Sequence, residues 1–490
     1  MSENLFVKAA TKAANETVTD NGMKALRSTG ESFVDAFGTL GAMRDAEESD
    51  VISKFEKAYA DDRLLAMKLL MYVRDIRGGM GERKTFKVIA NWLAKYHRAD
   101  IEINMGILAE YGRWDDLYTF VGTPAEKEAF KVMFKQFASD LENANAKKPV
   151  SLLAKWLKSE GASSQETVRL AKKTAKEFGL TSKEYRKAVS FLRAYLGVTE
   201  RFMSAKEFEK IDFSKVPALA IHKYRESFSR QVPDKWQAYL DSVEKGEEKV
   251  NAGTIYPYEL VLDVFSNKSD KLVEEQWKAL PNYIEGDNNV LVMADTSGSM
   301  TSYGYRPIAA SVGLAIYFAE RNHGAFQDLF LTFSSRPSFI KIDRNTSLKT
   351  KIRDVSKADW GMNTDIEAAM KLILDEAVEN NVPAKDMPKS LIIISDMQFD
   401  YCALEGANFY EHVRKEFEDK GYDVPNVVFW NVNAKNAVFH ATSEWAGIQL
   451  ASGYSPTVFK SILSNVDCTA FEMVLDTLNS PRYSAVKIAE

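Results

Sequence analysis

Cysteine is nearly absent: among 490 residues only Cys402 and Cys468 occur. Two thiols cannot build a disulfide framework, which points to a reducing compartment and a cytoplasmic protein. Histidine is scarce too, and His97, His222, His323, His412 and His440 are scattered with no His-x-x-x-His or Cys/His cluster. That excludes the usual zinc sites, and neither cysteine has a neighbouring histidine to activate it. Gly-x-Ser-x-Gly is missing, as is a Walker A loop. No general base for a hydrolase stands out, so a non-enzymatic protein is expected. Residues 1–7 carry no basic stretch followed by an apolar core, so no secretion signal is expected. No apolar run is long enough to span a bilayer.

What is present divides the chain in two. Hydrophobic residues make up 45% and charged residues 27%, the balance of a globular protein with two or three domains. Before residue 250 the apolar positions recur at threes and fours, as at Ile52, Phe55 and Tyr59 and again along Leu64–Val73. Helices are predicted over 84–96, 101–111, 125–143, 151–158, 164–178 and 182–196, with strand signals nearly absent. Helices of this length joined by short turns suggest a repeat-like array, although no strict period appears. From 290 onward the texture changes. Strands are predicted near 290–294, 327–334, 338–342, 391–395, 426–431 and 447–451, alternating with helices near 307–320, 365–380, 408–420 and 456–464. That alternation implies a doubly wound, largely parallel sheet. The expected organisation is a helical array over 1–250, a junction over 251–285, an α/β domain over 286–468, and a terminal helix over 469–490 that packs back on the junction.

Charge follows the same division. Residues 1–250 hold 42 Lys and Arg against 37 Asp and Glu, a net of +5; residues 251–490 hold 22 against 32, a net of −10. The excess concentrates in 51–100 (11 against 6) and 151–200 (10 against 5). A basic half permits an anionic partner, and ordinary solvated helix faces would give the same count.

Chemistry concentrates at Val290-Leu-Val-Met-Ala-Asp-Thr-Ser-Gly-Ser-Met300. An uncharged run closes on Asp295, Ser297 and Ser299, with Gly298 allowing a tight bend. In an open α/β sheet ligands lie beyond the carboxyl ends of strands, where these hydroxyl and carboxylate oxygens suit Mg²⁺ or Mn²⁺. The alternative is a strand-end turn whose serines cap the next helix. Thr364, ahead of a helix, and Asp396, at the end of a second apolar run, occupy matching places downstream.

These five positions in order resemble the metal-ion-dependent adhesion site of a von Willebrand factor A domain. The resemblance implies a metal held by Asp295, Ser297, Ser299, Thr364 and Asp396, with a position open to an acidic group of a partner. The helical half carries Arg74-Asp-Ile-Arg-Gly-Gly-Met-Gly-Glu-Arg-Lys84, Tyr111-Gly-Arg-Trp-Asp-Asp-Leu117, Leu153-Ala-Lys-Trp156, Tyr185-Arg-Lys187 and Ile211-Asp-Phe-Ser-Lys-Val-Pro217. In this order, ahead of an A domain, they resemble an uncharacterised intracellular family related to the Ro (TROVE-module) ribonucleoproteins. That resemblance implies a ring or horseshoe of helices and a partner among small structured or misfolded RNAs.

Two basic stretches are the RNA-binding candidates. Around the glycine turn they are Arg74, Arg77, Arg83 and Lys84, where amides and guanidiniums can seat phosphate, or where the arginines pair with Asp75, Glu82 or Asp115–Asp116. Further on they are Lys155, Trp156, Tyr185, Arg186, Lys187 and Arg193, cations interleaved with aromatics that can stack on unpaired bases or form ordinary core edges. Beside RNA binding stand two other readings: an adaptor that captures a protein carboxylate through the metal, and a metal-dependent phosphoesterase.

Overall fold

A computed structural model of the chain describes residues 5–284, 289–333, 336–357, 365–400, 407–443, 445, 447–465 and 468–490. Helices dominate as far as residue 278, and a six-stranded sheet organises the remainder. The expected fold class, a helical half followed by an α/β half, is the observed one.

The sheet strands are β3 (Val290–Asp295), β4 (Leu329–Phe333), β5 (Ser338–Lys341), β6 (Ser390–Ser395), β7 (Asn426–Asn431) and β8 (Ile448–Ser452), after a small hairpin of β1 (Glu16–Val18) and β2 (Lys24–Leu26). Their order is β5-β4-β3-β6-β7-β8, parallel throughout except for β5 at the edge. Every residue of β3, β6 and β8 is buried, because helices cover both faces of a parallel sheet. Alternation along the strands assigns each side chain to one of two cores. Val292, Ala294, Ile392, Ile394 and Trp430 face the helix Ser302–Arg321 and the helix Pro257–Phe265. Leu291, Met293, Leu391, Ile393 and Phe429 belong to a second core that continues without a break into the helical half, through Phe37, Leu70, Tyr72 and Phe86. The sheet and the array are thus welded by shared apolar burial, about 25 cal/mol per Å² removed from water. A third cluster, built on Phe213, Phe228, Trp236 and Tyr239, closes the helical half near residue 250.

Most helices lie where their periodicity places them: Lys84–Tyr96, Glu126–Asn145, Gln165–Glu177 capped by Ser164, and Ser182–Tyr195 with a Thr181/Glu184 capping box. Four segments differ, the first being the helix expected over 151–158, which is a single turn over Leu153–Trp156. The stretch 101–111 is broken into Arg98–Glu102, a 3₁₀ turn and Leu108–Tyr111, because Asn104 donates its amide to Asp100 O and Lys487 O at 2.7 Å each. The segment after 469 is a helix only over Ala470–Leu478, and Pro481 starts a 3₁₀ turn. This helix lies against Ser32–Phe37, Arg63–Arg74 and β8. The helix Leu348–Val355, capped by Ser347, is an addition to the expected elements; it is short and its period indistinct.

The β1–β2 hairpin is the strand structure that the first half was not expected to contain. Three-residue strands leave no alternation to read, and this one is pinned by distant chain: Leu26 exchanges backbone hydrogen bonds with Phe439 at 2.7 and 2.9 Å, and Thr19 Oγ1 donates to Phe399 O at 2.6 Å.

Candidate metal centre and basic channel

Asp295 ends β3 and Asp396 follows the end of β6, and these two strands are neighbours. From β3 the chain runs outward to β4 and β5 on one side, then returns to start β6 on the other. The two aspartates therefore sit at the topological switch point, where open α/β sheets bind ligands. Asp295 Oδ1 accepts from Ser297 N at 2.8 Å, and Oδ2 accepts from the Ser395 hydroxyl. Ser297 Oγ and Ser299 Oγ lie 3.1 Å apart. Asp396 Oδ1 accepts from Gln398 N at 3.1 Å. Asp295, Ser297 and Asp396 are almost fully buried and Ser299 is half-buried.

Burial raises the proton affinity of Asp295, and the facing charge of Asp396 raises it further. Burial raises that of Asp396 as well. Among the described residues neither carboxylate has a lysine or arginine partner within 4 Å, and no cluster of three His, Cys, Asp or Glu exists. Two buried carboxylates and two hydroxyls without a basic side chain form an all-oxygen donor set of net negative charge. That set fits a hard divalent cation. Thr364 lies outside the described residues; Asp365, next to it, accepts from Ala368 N at 2.9 Å and caps the helix Ile366–Glu379.

Sequence reasoning missed the rim of this site. Ser395 reads as part of a buried strand, yet its hydroxyl orients Asp295. Gln398 ties the site to the hairpin, accepting from Asp20 N at 2.7 Å through Oε1 and donating to Asn436 O at 2.9 Å. Tyr303, Gly304 and Tyr305 take three consecutive left-handed conformations just beyond the serines, and Met397 a fourth beyond Asp396.

The basic candidates divide sharply. Arg74 is buried, and its Nε lies 2.7 Å from Asp116 Oδ2. Arg83 spans Asp115 and Asp116 at 2.8 Å to each. At Arg74 the glycine turn serves as an interhelical connection, since a buried guanidinium requires the carboxylate that neutralises it, and the part-exposed Arg83 is likewise held by two carboxylates. The turn is tight for the same reason: a Cβ at Gly79 would lie 2.1 Å from Tyr72 O. Arg77, Lys84 and Lys187 are exposed.

A cavity of about 1280 Å³ in the helical half brings most of the others together. Eight Lys and Arg side chains line it against two glutamates, Glu160 and Glu200. The expected Arg77, Lys155, Trp156, Tyr185, Arg186 and Arg193 are all on its wall; Lys84 and Lys187 are not. Two of the six serve the wall itself. Arg193 donates to Ala154 O, Leu157 O and Ser159 Oγ at 2.6–2.8 Å. Tyr185 is buried, with its hydroxyl on Lys158 O at 2.7 Å, so its ring offers no stacking face. Trp156 is half-buried under the Arg113 guanidinium, 4.0 Å from the ring centroid. Arg113, Lys158, Arg201 and Lys223 complete the set and carry no local signal in the sequence. Lys155, Arg201 and Lys223 have no ion pair within 4 Å among the described residues.

Comparison with known proteins follows the same two halves. A model described as Domain of unknown function (DUF2828) matches residues 19–177 and 150–288, and one described as Domain of unknown function (DUF7788) matches residues 289–482. The Uncharacterized protein L728 of Acanthamoeba polyphaga mimivirus is 31% identical over 508 residues, spanning 95% of this chain and 87% of its own. A crystal structure of the Deinococcus radiodurans RO (RSR) protein aligns with 86% of this chain and 92% of its own, at a TM-score of 0.45 and 13% identity.

Proposed function

We propose that this chain, which belongs to the DUF2828 family and carries a DUF7788 match after it, binds RNA in the basic channel of its helical half and holds Mg²⁺ in its α/β half. The channel carries the reading. Eight cations against two carboxylates on one concave surface make a site for a polyanion, and Lys155, Arg201 and Lys223 are not spent on protein carboxylates. Trp114 and the Arg113-covered Trp156 on the same wall provide flat surfaces for unstacked bases, worth roughly 1–3 kcal/mol for each base that stacks. Single-stranded segments and frayed ends of small structured RNAs match such a channel, whereas a duplex buries its base faces.

The metal belongs to the same proposal as a second element. Asp295, Ser297, Ser299 and Asp396, with Thr364, would hold Mg²⁺, which would relieve the repulsion between the two buried carboxylates and offer a position to an acidic ligand. The chain's own contribution is orientation: Ser395 and the Ser297 amide fix both oxygens of Asp295.

The test is filter binding of a single-stranded RNA across a salt series, comparing the native chain with Lys155→Glu/Lys223→Glu. The native protein should bind at low salt, and affinity should fall with a slope of about 0.7 per phosphate neutralised. The double variant should bind more weakly with a slope reduced by about 1.4. If RNA does not bind at low salt, or the variant binds equally, the RNA reading fails and a protein-carboxylate adaptor working through the metal takes its place.

A further inference from the structure

The two glutamates in the basic channel are out of keeping with a surface built only for phosphate. Glu160 lies in the loop after the short helix Leu153–Trp156, and its side chain is 9% exposed. Arg186 Nε stands 3.6 Å from Oε2, held loosely because the Arg186 side chain is 63% exposed. Oε1 is buried and has no hydrogen-bond partner among the described residues. Glu200, on the helix Thr199–Ser204, repeats the pattern: Oε1 receives the Tyr224 hydroxyl at 3.4 Å, and Oε2 is buried without a partner. Buried carboxylate oxygens are normally satisfied; these orphans lie just beneath the channel wall, where a turn of the side chain offers them to a donor brought by the ligand.

Resting on the RNA reading above, we propose that Glu160, aided by Glu200, is a base-reading residue that selects guanine in the single strand occupying the channel. A carboxylate accepts hydrogen bonds only, so phosphate oxygens are repelled and N–H groups are taken. Guanine alone presents two adjacent donors, N1–H and the N2 amino group, to the two oxygens of one carboxylate. Adenine and cytosine set a single amino group beside a lone pair that the carboxylate repels, and uracil sets one N–H between two carbonyls. The Arg113–Trp156 stack on the same wall supplies a plane against which the base can lie with its Watson–Crick edge exposed.

Fluorescence anisotropy at low salt with the full chain tests this, using a ten-nucleotide uridine strand, the same strand with one guanosine, and the same strand with inosine at that position. The guanosine strand should bind roughly tenfold more tightly than the uridine strand, as a good two-donor contact allows. Inosine, which lacks the N2 amino group, should lose most of that preference. Glu160→Gln should abolish the preference, and should if anything raise uridine-strand affinity because a negative charge leaves the channel and Arg186 is freed; Glu200→Gln should weaken the preference. Equal binding of all three strands by the native chain overturns the assignment whatever the variants do, and so does an undiminished preference in Glu160→Gln. Binding without base preference leaves RNA binding standing and removes only this proposal; no binding of any strand removes both.

Discussion

Arg482 and Asp75, 407 positions apart, form a two-pronged ion pair in which Arg482 Nη2 lies 2.6 Å from Asp75 Oδ1 and Nε reaches Oδ2. Asp75 is fully buried and also accepts from the Tyr483 hydroxyl at 3.0 Å and the Arg77 amide at 2.9 Å. The last residues continue across the next part of the array: Lys487 N donates to Asn104 Oδ1 at 3.0 Å and Ala489 N to Asp100 Oδ1 at 2.8 Å.

This tail should therefore act as a strap across the first helices of the array. Arg482→Ala leaves a buried carboxylate short of its charged partner, a loss of about 2–3 kcal/mol. Ending the chain at 480 also removes Tyr483, which stacks on Tyr111 at 5.6 Å, and should cost more. Urea denaturation of both variants measures the effect. An unfolding free energy within 0.5 kcal/mol of the native value, roughly the scatter of neutral surface changes, would show that the strap is passive.

Metal binding should depend on the polar side chains gathered where β3 and β6 end. Asp295→Ala should give no measurable heat on titration with Mn²⁺ while the far-ultraviolet circular dichroism is retained. Ser395→Ala touches no metal in the proposed site, yet it frees Asp295 Oδ2 from its hydroxyl donor and should weaken Mn²⁺ binding about 10–100-fold. Unchanged Mn²⁺ affinity in Asp295→Ala would sink the site.

The pH dependence of stability should carry the signature of Glu259. Burial at the start of the helix Pro257–Phe265 raises its carboxyl from the ordinary 4.5 to about 7, against the opposing hydrogen bond from Tyr256 N. The folded chain then holds this proton more tightly than the unfolded chain. Its contribution to stability is greatest below about pH 4.5 and is lost as pH rises toward 7, by about 3 kcal/mol at most. His440 acts in the opposite sense: burial lowers it to about 4, so its contribution is lost as pH falls from 6.5 toward 4. Comparing Glu259→Gln with the native chain isolates the first effect, because His440 is common to both. The variant should gain stability relative to the native chain as pH rises from 4.5 to 7, and parallel curves over that window would contradict the assignment.

The sequence by itself determined most of the long elements and the place of Asp295, Ser297 and Ser299 at a strand end. An apolar run such as Val290–Ala294 is legible because a strand covered on both faces must be hydrophobic throughout. Asp295, Ser297 and Ser299 are legible because they interrupt such a run at once. Capped amphipathic helices such as Ser182–Tyr195 are equally local, with cap and apolar stripe within a few turns.

Only the tertiary structure decided which charges are free. Arg74 and Lys155 look alike in the sequence, but Arg74 meets Asp116 in the interior while Lys155 faces the channel, and the partners that decide this lie some forty residues away. Ser395, Glu160 and the tail on Asp75 were illegible for the same reason. A side chain's function here follows from which distant groups surround it, and local pattern carries only its own helix or strand.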